Sequence, residues 1–288
     1  MKKIIVTGSN GQLGRAIGKL LSGNDQYELI NTSSRENARY RLDITNVDDT
    51  LALCREHKPY AIINCAAHTN VNACESQWDL AYKINAIGPR NLAIAASDTG
   101  AKLIHVSTDY VFNGEATSPI NEFQATCPLG AYGKTKLEGE NMVKAFADRW
   151  FILRTAWLYG DGNNFAKTML RLSQDHEEVS VVKDQFGTPT TAAELARAIG
   201  YLLPTDNYGL FHATCEGSCS WADFASEIFK KAGKSTRVKY ITTEEYPTPA
   251  KRPAYSVLDN YMLRLTSDFT FADWHDALDE YMASDIEK

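Results

Sequence analysis

The sequence predicts an α/β protein: a Rossmann-type, doubly wound parallel sheet with a smaller C-terminal α/β substrate lobe. First, short β-rich runs alternate with helical patterns through the first half of the 288 residues. Second, the runs IIV, AIIN and KLIHV are nearly continuous in apolar residues, as in strands buried on both faces of a parallel sheet. Third, a glycine-rich turn follows the first strand. Because parallel strands end at one edge of such a sheet, we expect a ligand site at that edge.

The elements of the first half follow one another as strand and helix. Strands are predicted at residues 2–8, 28–34, 61–67, 102–112 and 150–157. Helices are predicted at residues 12–22, 47–57, 78–97 and 131–147. Strands separated by helices of this length indicate βαβ units. Residues 1–160 are therefore predicted to form a dinucleotide-binding domain.

The alternation becomes less regular after residue 160. Helices are predicted at residues 165–173, 192–203, 221–232 and 271–282, and strands near residues 178–182, 209–213 and 237–241. Prolines mark several of the connections, but no low-complexity linker separates the two halves. Residues 161–288 are therefore predicted to be mainly a substrate-binding lobe, with some segments returning to the first domain.

Composition excludes several classes of partner. A formal net charge of −6 argues against a nucleic-acid or anionic-membrane surface. No apolar stretch approaches the length of a membrane span, and the run after the N-terminal lysines is too short for a signal peptide. The six cysteines form no CxxC pair, which favours reduced thiols in a cytoplasmic protein. The sequence does not fix the oligomeric state, and a homodimer is one alternative.

The turn after the first strand reads Gly8-Ser-Asn10-Gly11-Gln-Leu-Gly14 and leads into a helix. A GxxGxxG turn at this place lets the backbone reverse tightly and approach a pyrophosphate, to which it presents helix N-terminal amides. A plain structural turn is the alternative. The position of the triplet, directly after a buried strand, favours dinucleotide binding.

The end of the second strand indicates which dinucleotide is bound. NAD sites usually place an acidic residue there, whereas a basic residue favours the 2′-phosphate of NADP. This chain has Ser33, Ser34 and Arg35 with no acid before Glu36, which favours NADPH, with NADH as the alternative. Arg35 could equally be a solvated loop arginine. Asp43 and Ile44, which follow an apolar residue and precede a helix, are candidates for the adenine side.

Polar side chains next to the predicted sheet edge form the candidate catalytic set. Thr108 and Asp109 lie at a strand tip, where a strand-end cap is the alternative, and Tyr132 and Lys136 share one face of the next helix. Hydride reduction of a ketone leaves charge on oxygen that must be protonated. A lysine ammonium one turn away would lower the pKa of the tyrosine, and it could also reach the nicotinamide ribose. The Tyr-Lys spacing alone is weak evidence, but its place after the turn and the strand tip makes coincidence a poor explanation.

With these residues in this order, the chain resembles the extended short-chain dehydrogenase/reductase family. The shared motifs are GxxGxxG at residues 8–14, STDYVF at 107–112 and YGKTK at 132–136, with the more specific markers AAHTNV (66–71), RTAWLYG (154–160), DQFGTPT (184–190) and RPAYS (252–256). The resemblance implies dinucleotide contacts from Gly11, Gln12, Leu13, Asp43, Ile44, Ala66, Ala67, His68, Thr69 and Lys136. It implies substrate contacts from Val71, Thr108, Asp109, Tyr132, Trp157 and Arg252, with Thr108, Tyr132 and Lys136 as the catalytic set.

The resemblance also implies an activity: reduction of the 4-keto group of dTDP-4-dehydro-L-rhamnose to dTDP-L-rhamnose by NADPH. Asn72 stands where the family commonly has an acidic residue, which leaves the sugar open. Some members bind magnesium through a glutamate at the position of Ala16, so no metal site is predicted here. The alternatives are another nucleotide-sugar reductase or epimerase of the same fold, or a non-catalytic subunit resembling the regulatory partner of methionine adenosyltransferase.

Four side chains carry an alternative that the residues alone do not decide. His68 suits packing or hydrogen bonding better than a general-base role, because Tyr132 and Lys136 already supply the proton chemistry. Trp157 is expected to face the pocket, with a core position as the alternative. Trp221, behind a Ser220 cap, is expected in the core. Arg252 could contact a diphosphate or lie at the surface.

Overall fold

Seven strands in the described part of the chain form one parallel sheet. The computed structural model describes residues 1–34 and 38–286. The strands inside and outside this sheet are β1 Lys2–Thr7, β2 Tyr27–Ser33, β3 Tyr40–Arg41, β4 Ala61–Asn64, β5 Lys102–Thr108, β6 Trp150–Thr155, β7 Leu158–Tyr159, β8 Glu178–Val182, β9 Phe186–Gly187, β10 Thr190–Thr191, β11 Gly209–His212, β12 Cys219–Ser220 and β13 Arg237–Ile241. The seven strands of the sheet lie in the order β11-β6-β5-β4-β1-β2-β3.

The helices cover both faces of this sheet. They are α1 Gln12–Leu21, α2 Val47–His57, α3 Val71–Ser76, α4 Trp78–Tyr82, α5 Gly88–Thr99, α6 Ala131–Phe146, α7 Phe165–Asp175, α8 Ala192–Leu202, α9 Trp221–Lys231, α10 Tyr261–Thr266 and α11 Trp274–Tyr281. The order of strands reverses at β1, with β4 on one side and β2 on the other, which is the doubly wound arrangement. The predicted Rossmann-type fold class is confirmed.

Burial on both faces explains the continuous apolar runs. Ile63 and Ile104 point into a core that includes α1 and α8, whereas Ile62 and Leu103 point into a second core against α2, α5 and α6. Successive side chains of a strand point to opposite faces, so a strand between two helical layers must be apolar at every position. The apolar runs in the first half of the sequence are therefore the consequence of burial on both faces of the sheet.

The register of the sheet brings the polar strand ends to one edge. Thr7 of β1 is paired with Asn64 of β4, and Thr108 of β5 is paired with Thr155 of β6. All these strands are parallel, so the segments that follow them emerge side by side. The glycine turn, the segment after Asn64 and the Thr108 tip therefore border one crevice.

The second half of the chain contributes to two bodies. Strand β11 adds to the edge of the large sheet beside β6, and α8 packs on α1. The short pairs β7 with β10, β9 with β12 and β8 with β13 lie outside that sheet. They surround a separate core that includes Tyr159, Phe224 and Trp274.

Several predicted boundaries differ from the observed ones. Strand β4 ends at Asn64 rather than at residue 67, because its pairing with β1 and β5 stops at Asn64. The helix predicted at 78–97 contains a π-helical turn at Lys83–Ile87, and the one predicted from residue 271 begins at Trp274. Strands of two residues escaped prediction because such short pairs have no measurable periodicity.

We expect Gly14→Ala to destabilise the fold. A Cβ atom on Gly14 would stand 2.5 Å from the carbonyl oxygen of Gly8, a backbone atom that cannot yield without moving the turn. Overpacking of this kind costs roughly 1–3 kcal/mol, measurable by urea unfolding.

The control is Gly18→Ala in the same helix, where a Cβ would meet nothing within 4 Å. This variant should be as stable as the wild type or up to about 1 kcal/mol more stable, since alanine favours a helix. Equal stabilities for the two variants would contradict the steric argument.

Candidate active site

The glycine turn has the shape of a phosphate cradle. Gly8 adopts a left-handed conformation with φ of 61°, and a Cβ there would stand 2.8 Å from the amide nitrogen of Ala66. Helix α1 begins after Gly11 without a side-chain cap and without an acidic residue in its first turn. Its N-terminal amides and the positive end of its dipole therefore face the crevice, a combination that suits an anionic phosphate.

The side chains of the turn divide between the crevice and the protein. Asn10 and Gly11 are exposed, whereas Leu13 is buried in the core, so only its main chain can serve a ligand. Gln12 turns towards the second half of the chain, where its Oε1 accepts a hydrogen bond from the Gly160 amide at 2.7 Å. The turn is thus fastened to the loop that follows β7.

The end of β2 places Ser34 at the surface and Ser33 beneath it. Arg35, predicted at the 2′-phosphate, lies outside the described residues. Asp43 is exposed, and its Oδ1 accepts hydrogen bonds from the amide and hydroxyl of Thr45. Ile44 is buried and packs where Gly88 leaves room, since a Cβ on Gly88 would stand 2.4 Å from its Cδ1.

The segment after β4 is held by one buried asparagine. Asn85 accepts a hydrogen bond from the amide of His68 at 2.8 Å and donates to its carbonyl at 3.1 Å. The same side-chain amide lies 3.1 Å from the hydroxyl of Thr135, one residue before Lys136. Asn85 sits in the π-helical turn and is fully buried. It therefore ties Ala66–Thr69 to the helix that carries Tyr132 and Lys136.

His68 and its neighbours in the segment after β4 are half-buried or exposed. The His68 Nε2 lies 3.2 Å from the Gln77 Oε1, and neither Tyr132 nor Lys136 is its hydrogen-bond partner. Ala66 and Ala67 are half-buried, and Thr69 is exposed. Val71 begins α3, and Asn72 lies 3.4 Å through its Oδ1 from the Ala250 amide. Asn72 therefore links α3 to the segment that leads into RPAYS.

At the end of β5, the side chains of Thr108 and Asp109 are both buried and are hydrogen-bonded to each other. The Thr108 hydroxyl donates to the Asp109 Oδ1 at 2.9 Å and accepts from the Tyr110 amide at 3.2 Å. The Asp109 carboxylate is almost completely buried. Burial raises the pKa of Asp109 to about 6, against the opposing effect of its Ser256 and Thr108 contacts.

Tyr132 lies against this tip. Its ring meets the Tyr110 ring edge to face, with centroids 5.4 Å apart. Burial raises the pKa of Tyr132 above its usual value, the Thr108 side chain opposes that rise, and Asp109 adds to it. The lowered pKa expected from Lys136 is thus not the net result, because loss of water around the phenol outweighs the favourable contacts.

Lys136 is buried one turn further along α6. Its Nζ donates to the Val106 carbonyl at 2.7 Å. Burial lowers the pKa of Lys136 to about 8, and the nearby Glu140 carboxylate and Cys65 act in the opposite direction. The ammonium is therefore charged at neutral pH but close to the point at which it loses its proton.

Glu140 anchors the helix that carries Tyr132 and Lys136. Arg154 of β6 donates to both of its carboxylate oxygens, at 2.8 and 2.7 Å, and the Ser107 hydroxyl donates at 2.7 Å. Burial by itself would raise the pKa of Glu140, but Arg154 and Ser107 hold that pKa below its usual value. The pair joins α6 to the two strands that end at Thr108 and Thr155.

Trp157 and Arg252 approach from the second half of the chain. Trp157 is half-buried, with one face of its indole stacked on Trp221 at a ring distance of 3.6 Å. Trp221, expected in the core, is also half-buried. Arg252 interacts with the side chain of Tyr110. Burial raises the pKa of Tyr110 to about 12, and the interaction with Arg252 opposes that rise. The Arg252 Nε is buried without a hydrogen-bond partner.

The structure thus brings Thr108, Asp109 and Tyr132 together, with Arg252 linked to them through Tyr110. Lys136 lies one turn further along α6 and contacts β5 at the Val106 carbonyl, two residues before Thr108. Sequence reasoning missed Glu140, Glu75 and Tyr110. The Glu75 Oε1 caps α6 by accepting from the Ala131 amide at 2.8 Å. Glu140 stands four residues after Lys136, so the helical spacing could have placed it on the same face. Nothing local to the sequence indicated Glu75, because its partner lies in another segment.

Two features of the described residues bear on other functions. Within residues 1–34 and 38–286, no cluster of three or more His, Cys, Asp or Glu side chains is arranged to hold a metal ion. No helix in the described parts of the chain combines the length and apolarity that crossing a membrane requires.

The fold and the site together define a dinucleotide-binding protein of the extended short-chain dehydrogenase/reductase class. A turn shaped for phosphate and a Tyr-Lys helix face meet at one edge of a doubly wound sheet. Within that class, the chain belongs to the RmlD substrate binding domain family, whose profile matches residues 1–286.

Relatives and solved structures agree with this placement. A dTDP-4-dehydrorhamnose reductase of Aggregatibacter actinomycetemcomitans is 40% identical, covering 96% of this chain and 97% of its own. The crystal structure of a dTDP-4-dehydrorhamnose reductase of Clostridium acetobutylicum is 56% identical, with a TM-score of 0.94 and 98% of each chain covered. That of a dTDP-4-dehydrorhamnose reductase of Bacillus anthracis, in complex with NADP, is 42% identical, with a TM-score of 0.94 and 100% of each chain covered.

We expect Glu140→Gln to lower the free energy of unfolding by roughly 3 kcal/mol, because it leaves the buried Arg154 charge without its partner. Urea unfolding measures the change. The control is Lys144→Met, which removes a partly exposed lysine whose Nζ lies 3.5 Å from Glu140 and should cost less than about 1 kcal/mol. Similar losses for both variants would show that the buried pair carries no special share of the stability.

Lys136 gives stability a distinct pH dependence. Its folded pKa of about 8 lies below the ordinary value of 10.5, so between these values the unfolded chain binds more protons and stability rises with pH. Relative to Lys136→Met, the wild type should gain up to about 3 kcal/mol across this window. Urea unfolding of both proteins at several pH values tests this. A constant difference between the two curves would exclude a depressed Lys136 pKa.

Proposed function

We propose that this protein reduces the 4-keto group of dTDP-4-dehydro-L-rhamnose to give dTDP-L-rhamnose, with NADPH as the reductant. The observation that carries the proposal is the meeting of Thr108, Tyr132 and Lys136 beside the phosphate-shaped turn. The relatives from Aggregatibacter actinomycetemcomitans and Clostridium acetobutylicum bear the name of this reductase. The Bacillus anthracis structure contains NADP.

The residues fit the dinucleotide. The turn has no room for side chains at Gly8 and Gly14, and the first amides of α1 have no side-chain cap. A pyrophosphate would lie against Gly11, Gln12 and Leu13. The Gly11 amide donates to the Gly8 carbonyl at 2.9 Å, so the donors to the ligand would be the main-chain amides of Gln12 and Leu13. The adenosine side would extend towards Ser34, Asp43 and Ile44, and the nicotinamide side along residues 66–69. When bound, NADPH supplies the hydride.

The proton chemistry belongs to Tyr132. Because burial raises its pKa, the phenol keeps its proton at neutral pH, as a donor to a carbonyl oxygen must. Thr108 is fixed by Asp109 and by the Tyr110 amide, so it can orient that oxygen. The charged Lys136 ammonium would stabilise the phenolate left after proton transfer. Lys136 would also hold the nicotinamide ribose.

The sugar nucleotide would occupy the space between the two bodies of the chain. Asp109 offers a buried carboxylate, which can accept a further hydrogen bond from a sugar hydroxyl. Arg252 offers an unpartnered Nε, which suits a diphosphate oxygen. Val71 and Trp157 would supply apolar contacts. Residues 1–160 would mainly hold the cofactor and residues 161–288 mainly the substrate, although β11 and α8 pack on the cofactor body.

We place the enzyme in the cytoplasm, where nucleotide sugars and NADPH are at hand. A homodimer is the alternative to a monomer, and sedimentation of the purified protein would decide between them.

Tyr132→Phe should lower kcat at least about a hundredfold, because it removes the proton donor but keeps the ring that packs on Tyr110. The measurement follows NADPH absorbance with the purified dTDP-ketosugar. The matched control is Lys134→Met, in the same helix turn, whose exposed side chain lies off the catalytic face and should leave turnover unchanged.

Three results would count against the proposal. Undiminished turnover by Tyr132→Phe would remove Tyr132 from the chemistry. Faster NADPH loss with another nucleotide sugar would favour a different reductase of the same fold. Binding of NADPH without any loss of absorbance would favour a non-catalytic role, such as a regulatory subunit.

A further inference from the structure

The backbone at Trp157 is held in an unfavourable conformation. Its φ is 48°, in the left-handed region that residues with a Cβ atom rarely adopt, and the strand β6 ends just before it. Such a conformation costs on the order of 1–3 kcal/mol and persists only where the surroundings impose it. The Trp157 carbonyl accepts from the Thr190 amide at 3.4 Å, which ties the strained residue to β10. Contacts of Trp157 with its neighbours must therefore hold the residue in this conformation.

Trp221 covers one face of the Trp157 indole. The two rings are 3.6 Å apart and nearly parallel, with an angle of 8° between their planes. Trp221 is itself anchored, since its ring packs against Phe165 at 4.6 Å. It also begins α9 directly after Ser220, whose side chain caps that helix together with Asp223. The ring that stacks on Trp157 therefore belongs to a residue held in place at the capped start of α9.

Gly187 limits the Trp157 ring on a second side. A Cβ atom there would stand 2.4 Å from the Cε2 and 2.6 Å from the Nε1 of Trp157. Only glycine leaves room for the indole in this place. Gly187 belongs to DQFGTPT, a sequence marker to which the proton chemistry assigns no role.

Backbone pairing on both sides fixes Gly187. Strand β9 pairs antiparallel with β12, so that Gly187 faces Cys219 and Phe186 faces Ser220. On its other side, Phe186 donates to the Ala254 carbonyl and accepts from the Ser256 amide, each at 2.8 Å. Ala254 and Ser256 belong to RPAYS. Three sequence segments that are distant in the chain thus converge on one tryptophan.

We propose that Trp221 and Gly187 are positioning residues for the sugar nucleotide: they form a cradle that holds the Trp157 indole against the substrate. The inference rests on the proposed function, in which Trp157 contacts the substrate. It assigns DQFGTPT and RPAYS the task of building this cradle. Neither Trp221 nor Gly187 needs to touch the reacting atoms.

The test compares Michaelis constants in the full-length enzyme. Trp221→Ala removes the stacked ring and should raise KM for the dTDP-ketosugar about five- to tenfold, the usual value of an aromatic pair. Gly187→Ala should raise it by a similar factor, because the new methyl group displaces the indole. Trp221→Phe keeps a flat ring and should restore KM to within about twofold. KM for NADPH should not change in any variant.

The control is Trp274→Phe, in the core of the same lobe, where the indole packs against Phe224. It should lower the thermal midpoint and leave both Michaelis constants unchanged. If Trp221→Ala and Gly187→Ala behave like this control, with lower stability or a smaller active fraction but an unchanged KM for the ketosugar, the cradle is not a positioning device. A wild-type protein without reductase activity would instead overturn the proposed function.

Discussion

The buried ion pair between Glu140 and Arg154 is the constraint on which the site depends. It joins the middle of α6 to β6, and the Ser107 hydroxyl extends it to β5. Helix α6 carries Tyr132 and Lys136, β5 ends at Thr108, and β6 ends two residues before Trp157. A charge pair with no water around it tolerates little displacement, since each partner left alone would be costly. The helix face and the strand tips are therefore held in one arrangement before any ligand arrives.

Burial of this region also determines the charge states. The same exclusion of water that raises the pKa of Tyr132 lowers that of Lys136, because in both cases the ionised form is disfavoured. A phenol that keeps its proton suits a reduction, in which the product oxygen must be protonated. A lysine that is charged at neutral pH can then stabilise the phenolate that results. The enclosed position serves the direction of the proposed reaction.

The body built on the large sheet and the smaller body beside it are joined by hydrogen bonds at several places. Gln12 accepts from the Gly160 amide, Asn72 reaches the Ala250 amide, and the Tyr255 amide donates to the Gly114 carbonyl. Trp157 stands where β6 of the large sheet passes into the smaller body. Its strained backbone and its stacked neighbour place an aromatic side chain at the junction, where a ligand that spans both bodies would meet it.

The sequence by itself determined the sheet, because strands buried on both faces and a glycine turn behind the first of them leave local, periodic signals. It also gave the order of Thr108, Tyr132 and Lys136 and the family, since these depend on motifs within short segments. Only the tertiary structure decided that Arg154 pairs with Glu140 and that Trp221 lies under Trp157. It also decided that burial raises the pKa of Tyr132, where Lys136 had been expected to lower it. Such contacts join residues from separate segments, and the loss of water depends on everything packed around a group. Neither these contacts nor the loss of water can be deduced from the periodicity of a single segment.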